Sequence, residues 1–436
     1  MATFIGVLVF FVGLLASIAL HELGHMIPAK KFGVRVSEYF VGFGPRVWSR
    51  VRGETEYGVK AIPLGGYVRI VGMIPPADRV KPVKVRGWAG NVIADARDAA
   101  VEEIEPGEDH RAFYHLTWWK KVIVMMGGPL VNLVLAVVLF TTVLTTVGSP
   151  APSLTIASVT PCIPAVGSVE CTADDPASPA AAAGLEAGDT IVSVDGVEAQ
   201  DWAQATAIIA AAPGETMPLV VERDGEPVEL SFTAGERERA VYDDAGDVVL
   251  DEAGDPVTET VGYLGVVSEY TAQTQPITAG VGLTWDYLVA TVEVVATLPA
   301  HLWDVTQAAL GLEERSADSI MGIVGVGQVA GEIASADVEG YGPAQKIGDM
   351  LMLLGGLNLA LFVFNMIPLV PLDGGHVASA LWQAIKNGWA RLRSRATPAP
   401  VDVARMMPLA YGVFGLLLLM GLVLIVADIV APVQLL

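Results

Sequence analysis

Cationic side chains are few in this sequence and unevenly placed. Its 436 residues hold 26 Lys and Arg against 48 Asp and Glu, a formal net charge of −22. From Gly148 to Ile347 the only cations are Arg223, Arg237, Arg239, Arg315 and Lys346, against 32 acidic residues, a balance unsuited to nucleic acid. Cysteine is almost missing: Cys162 and Cys171 suffice for one disulfide closing a short loop in an oxidising compartment, or remain two unpaired thiols. The first nineteen residues carry no charge of either sign. They also lack the basic n-region and small-residue cleavage site of a signal peptide, so the segment is expected to be retained. No long internal repeat is visible.

Apolar residues are what the sequence has in excess, at 53%. Phe4 to Leu20, Val122 to Val147, Met350 to Leu369 and Met406 to Val430 each have the length and apolarity of a spanning helix. The expected class is therefore a polytopic α-helical membrane protein with four transmembrane helices. Sixteen of the Lys and Arg residues lie between Lys30 and Lys121, and five more between Lys386 and Arg405. The positive-inside rule then assigns the first and third connections to the cytoplasm, and the long acidic connection and both termini to the outside.

The boundaries that follow are 1–27 for helix one, 28–119 for a cytoplasmic connection and 120–148 for helix two. An outside domain at 149–262 and an outside linker with interfacial helices at 263–347 come next, then helix three at 348–376, a cytoplasmic loop at 377–405 and helix four at 406–431. Residues 36–72 alternate apolar with polar positions and are broken by Gly and Pro, which predicts a membrane-associated β-hairpin region. Between Gly184 and Phe232 the order is tight turn, strand, Asp-Gly turn, amphipathic helix and two strands joined at Asp224-Gly225, the pattern of one compact α+β domain. An acidic hairpin is expected at 241–258. Residues 277–311 are apolar but include Asp286, Glu293 and Asp304, and are expected to lie along the membrane face or on the bundle rather than to form a fifth span.

The chemistry is concentrated in "LHELGH", residues 20–25. On a helix, His21 and His25 are four positions apart and about 40° around the axis, so both rings reach one point with Glu22 beside it. Two neutral imidazoles at that spacing suit zinc, and Glu22 would act as the base that takes a proton from water and passes it to the leaving amine. A chance H-E-x-x-H is weighed against this reading. An ionisable cluster ending a spanning segment is costly, however, and function is the default hypothesis there. A third ligand would come from "NMIPLVPLDGGH", 365–376, which ends helix three at the same cytoplasmic level; Asp373 is the acid there and His376 the alternative. His110, His115 and His301 are read as non-ligands.

These residues resemble a known family. "HELGH" in the first helix, "GFGP" at 42–45, "GGPLVN" at 127–132 and "NMIPLVPLDGG" at 365–375 look like the bacterial site-2 proteases, intramembrane zinc metalloproteases. The outside "GLEAGDTIVSVDG" is similar to the PDZ domain of that family. The resemblance implies His21, His25 and Asp373 as zinc ligands and Glu22 as catalytic base. It further implies Asn365 as a residue holding substrate or the developing oxyanion, Asn132 as a polar residue packed near the substrate site or else an interhelical hydrogen-bond partner with no catalytic part, and Gly184-Leu185 as the turn that receives a peptide end. Implied partners are single-pass membrane proteins such as anti-sigma factors or remnant signal peptides, within the lipid bilayer of a bacterial inner membrane. The long charged loop before helix two and the single PDZ-like domain depart from some family members and bear on substrate gating.

A spanning substrate must be unwound before attack, because its carbonyls are held in helical hydrogen bonds. The strand-like stretch 36–72, bent at Gly42, Gly44 and Pro45, could pair with the extended substrate backbone. The alternatives are a membrane metallopeptidase with a Glu as third ligand, a non-proteolytic PDZ-bearing scaffold or chaperone, and a transporter. The presence of His21, Glu22, His25 and Asp373 together disfavours the scaffold, and the absence of two matching halves disfavours the transporter.

Overall fold

A computed structural model describes residues 2–80, 87–162, 176–241, 248–251, 256–313, 315–316, 319–337, 341–396 and 398–433. The chain divides into two compact units: residues 1–147 with 275–436, and the inserted residues 148–274.

In the first unit, α1 (Ala2–Lys31) and α3 (Trp118–Thr146) pack against each other. Their axes approach closely because glycine faces glycine: a Cβ on Gly24 would fall 2.4 Å from the Gly127 carbonyl oxygen. Between them, β1 (Val36–Arg52) and β2 (Thr55–Ile70) form the expected hairpin, and α2 (Trp88–Glu102) follows it. Both strands are folded double. Residues 36–41 of β1 pair with 66–70 of β2 on one side and with 56–59 on the other, and 46–52 pair with 55–60. The bend in β1 occurs at Gly42 and Gly44, whose φ of +92° and +83° lie in the left-handed region that side chains disfavour. Segment 66–70 pairs with 36–41 and is left as an edge of this sheet, Gly66 standing against Ile18 and Glu22 of α1; on the neighbouring 36–41 the Tyr39 hydroxyl donates to the Ala19 carbonyl at 2.7 Å. Around the bend Phe43, Val47, Trp48 and Ile62 are exposed, as a surface meeting lipid would be.

After the inserted unit come α6 (Ile277–Ala296), α7 (Leu298–Ala309), α8 (Ile323–Ser335), α9 (Pro343–Met366), α10 (Asp373–Leu392) and α11 (Met407–Val430). Among the described residues, five helices are long and apolar enough to cross a membrane: α1, α3, α6, α9 and the stretch 403–430. The addition to the expected four is α6. Asp286 and Glu293 are the only charges in its 20 residues, and it packs on α3 through Gly280, whose Cβ would lie 2.1 Å from Thr141 Oγ1. Residues 377–392, expected as loop, belong to the amphipathic helix α10, whose Val377, Ala380 and Gln383 are buried. Asp428, buried on α11, is neutralised by Arg315 at 3.0 Å and by the Gly325 N–H at 2.7 Å, as a charge on an apolar helix requires.

The second unit is a β-sheet domain. We label its elements β3 (Ser149–Val159), α4 (Pro179–Ala183), β4 (Thr190–Val194), β5 (Val197–Glu198), α5 (Trp202–Ala210), β6 (Thr216–Arg223), β7 (Glu226–Thr233), β8 (Gly235–Ala240), β9 (Thr258–Tyr263) and β10 (Val266–Gln273). Strand order is β10-β3-β4-β6-β7, with β5 paired to β4 and β8 to β9. Ile156, Ile191, Val194, Leu219, Val221 and Phe232 alternate inward to make its core. The pair β8–β9 flanks the acidic hairpin expected at 241–258, of which 242–247 and 252–255 lie outside the described residues. Cys162 is disulfide-bonded; Cys171 lies outside the described residues.

Candidate active site

Three donor atoms meet where α1, α3 and α10 converge. His21 Nε2 and His25 Nε2 are 3.2 Å apart, and Asp373 Oδ2 lies 3.4 Å from the first and 3.3 Å from the second. Among the described residues this is the one cluster of three or more His, Cys, Asp or Glu able to share an ion. The separations fit zinc, since bonds of about 2.0–2.1 Å at tetrahedral angles put ligand atoms roughly 3.3 Å apart. Two neutral nitrogens and one carboxylate oxygen also form a hydrolytic zinc donor set that leaves a fourth position open.

Local sequence explains the convergence. His21 and His25 lie one turn apart on α1, and the α3 residues Val124, Gly128 and Asn132 repeat at the same four-residue spacing on the facing helix. His25 Nδ1 hydrogen-bonds the Val124 carbonyl at 2.8 Å, and Asn132 lies 3.1 Å from His21 Nδ1. Gly128 sits between them, and a Cβ there would fall 2.2 Å from His25 Nε2 and 2.7 Å from His21 Nε2. On the third side the chain turns at 367–372 and Asp373 opens α10. Gly374 and Gly375 admit this turn, since a Cβ on Gly374 would lie 2.4 Å from the Met366 carbonyl oxygen and one on Gly375 2.5 Å from Val370 N. Asn365 is the penultimate residue of α9, at this same corner and half-buried. His376, the alternative ligand, is one turn further along α10 and instead lines a small cavity with Met73, Lys121 and Gln383.

Glu22 adjoins the cluster and lies beside the edge segment of β2 that carries Gly66 and Val68. Gly66 on that edge is close to it, as a Cβ there would be 3.2 Å from Glu22 Cγ.

The other expected positions lie apart from the donor triangle or beside it. Asn132 has no exposure and faces a histidine ring, so it offers nothing to a substrate directly. Gly42 and Gly44 form the bend of β1. Gly184 is the left-handed cap of α4, its carbonyl accepting from Arg223, and Leu185 is buried in the domain core because the turn must close over it. A cleft of about 940 Å³ in the second unit lies between α5 and residues 259–266. At one end of it the N–H groups of Leu264 and Gly265 have no acceptor among the described residues. "GYLGV", 262–266, was the unread signal for that cleft. The supporting roles of Val124 and Gly128 were likewise missed, although their spacing from Asn132 matches that of the histidine pair.

Comparison with known proteins agrees with this geometry. Residues 9–409 match the model of "Peptidase family M50". The chain is 32% identical to "Zinc metalloprotease Rip1" of Mycobacterium tuberculosis over 99% of this chain and 98% of that protein. It is 27% identical to "Metalloprotease MmpA" of Caulobacter vibrioides over 87% and 88% of the two chains, and 24% identical to "Zinc metalloprotease RasP" of Oceanobacillus iheyensis over 89% and 92%. With nearly its whole length matched and its clustered histidines and aspartate at the meeting of three helices, the chain belongs to peptidase family M50.

Proposed function

We propose that this multi-pass membrane protein is a zinc endopeptidase that cuts single-pass membrane proteins within or beside their spanning segments, with anti-sigma factors or remnant signal peptides as substrates. One observation carries the reading: the triangle of His21, His25 and Asp373 donor atoms with Glu22 next to it. His21, His25 and Asp373 would hold the zinc. When bound, the ion supplies Lewis-acid activation of water and of the scissile carbonyl.

Glu22 would accept the proton of the attacking water and return it to the amide nitrogen as the C–N bond breaks. Asn365, at the α9 end of the same corner, would donate its amide to the carbonyl oxygen as negative charge develops there. The edge segment 66–70 would hold the unwound substrate as an added strand, replacing helical hydrogen bonds that lipid cannot replace. The charge distribution supports four spans with the site towards the cytoplasm and the acidic second unit outside an inner membrane, α6 lying on the bundle. That unit we read as PDZ-like, selecting substrates by an extended chain end bound in the cleft whose end is formed by Leu264 and Gly265.

The test compares the purified protein with Glu22→Gln, measuring zinc content and cleavage of a single-pass reporter in detergent. Both are expected to carry zinc, with cleavage by the variant reduced about 10²- to 10⁴-fold. Equal cleavage by the two removes Glu22 from the mechanism.

A further inference from the structure

We infer that Asn132 is a positioning residue that sets the tautomer and orientation of His21 for metal binding. The inference rests on the reading of His21 as a zinc ligand.

Asn132 is fully buried, and among the described residues its side chain makes one hydrogen bond, to His21 Nδ1 at 3.1 Å, while its other amide atom has no partner there. A half-satisfied buried amide is a liability for folding, because a polar group desolvated without a partner loses its hydrogen bonds to water and gains none. Stability of the helix pair therefore does not explain an amide here, where Leu would fill the same space. The histidine does. If Nε2 turns its lone pair towards an ion, Nδ1 must carry the hydrogen, and a hydrogen buried between two helices needs an acceptor. His25 meets that need with the Val124 carbonyl. His21, one turn earlier, has no such carbonyl among its hydrogen bonds, and the Asn132 amide stands in its place.

The oxygen and nitrogen of an amide are interchangeable at the positions of their heavy atoms. The chemistry of the ring selects the orientation in which Oδ1 accepts from Nδ1–H. Asn132 therefore does for His21 what a backbone carbonyl does for His25, and the two acceptors lie two helical turns apart on one face of α3.

The test uses the purified full-length protein and the Asn132→Leu, Asn132→Asp and His21→Ala variants. Zinc affinity is read by competition with a chromophoric chelator, and Tm is read on the zinc-free forms. Asn132→Leu keeps the volume and removes the acceptor, and is expected to weaken zinc tenfold or more, within the roughly 10- to 100-fold typical of lost ligand-orienting partners. Its zinc-free Tm is expected to match or exceed that of the unaltered protein. Asn132→Asp keeps an acceptor and is expected to lose less than tenfold.

Overturning results are zinc binding by Asn132→Leu within tenfold of the unaltered protein, or loss by Asn132→Asp as large as by Asn132→Leu. A zinc-free Tm that falls in both variants together with their affinity would assign Asn132 to helix packing and likewise overturn the inference. If Asn132→Leu does not accumulate, Asn132→Asp decides alone, tenfold weakening being the overturning result. Unchanged affinity in His21→Ala would sink the ligand reading itself, whereas weak binding there beside normal binding in Asn132→Leu sinks only this inference.

Discussion

At the scale of single residues, the site depends as much on a missing side chain as on those present. Gly128 leaves the space in which both histidine rings stand, and the same close approach fixes Gly24 against Gly127. Gly128→Ala would force a methyl group to within 2.2 Å of His25 Nε2, closer than any real contact. Either the rings rotate away from Asp373 or α3 retreats from α1. Overpacking of this kind costs about 1–3 kcal/mol, which a helix pair can survive, but ring rotation ends joint coordination. The expected outcome is a folded, membrane-inserted protein with zinc affinity and cleavage both lowered at least about a hundredfold, measured by chelator competition and reporter cleavage. Normal zinc binding in Gly128→Ala would contradict the geometry described. The histidine pair and Glu22 were legible from "HELGH" because helical spacing alone brings them together. Gly128 and Val124 were not, since an apolar residue and a glycine on a spanning helix look like packing until the facing helix is known.

At the scale of elements, the doubled hairpin brings a strand edge to the base. Alternation along 36–72 predicted strands but could not say that each would fold back on itself; that follows from Gly42 and Gly44, whose positive φ turns β1 out of line. The corner between α9 and α10 was similarly half-read. Pro and Gly in "IPLVPLDGG" announced a break, whereas the helix that begins at Asp373 was taken for loop, because its polar face dominates the sequence once the spanning run ends. The edge leads to a separate prediction. Val68 lies on segment 66–70, two residues from Gly66, where a Cβ would fall 3.2 Å from Glu22 Cγ. Proline is tolerated on an edge when the lost N–H is not part of the ladder. Val68→Pro is expected to keep the fold and zinc content while lowering kcat about tenfold or more, by disturbing the strand edge beside Glu22. Full activity in this variant would remove the strand edge from the mechanism.

At the scale of the whole molecule, one folding unit is interrupted by another. His21 and Asp373 belong to parts of the chain separated by the inserted 148–274, so the zinc triangle requires both halves of the first unit, while the insert keeps a core of its own. Charge asymmetry made the division legible in the sequence; the cleft was not, because its end is formed by "GYLGV", well away from the Gly184 turn that drew notice. An independent core implies that residues 148–274 fold when produced alone, and the buried Asp189 makes the fold sensitive to acid. The Arg223 guanidinium, donating at 2.7 and 2.8 Å, holds the Asp189 carboxyl below the ordinary carboxylate range, and the Glu186 N–H at 2.9 Å adds to this. A carboxyl whose pKa is lower folded than unfolded adds stability above its unfolded value, about 3.9, and loses it as pH falls through the folded one. The isolated unit is thus expected to melt higher than its Asp189→Asn variant at pH 7, with the gap narrowing steadily below about pH 4 as the native carboxylate is protonated. Melting curves of both proteins between pH 3 and 7 read this directly. A gap that stays constant across that range would mean that the asparagine disturbs packing alone and that the charge pair with Arg223 contributes nothing to the stability of the unit.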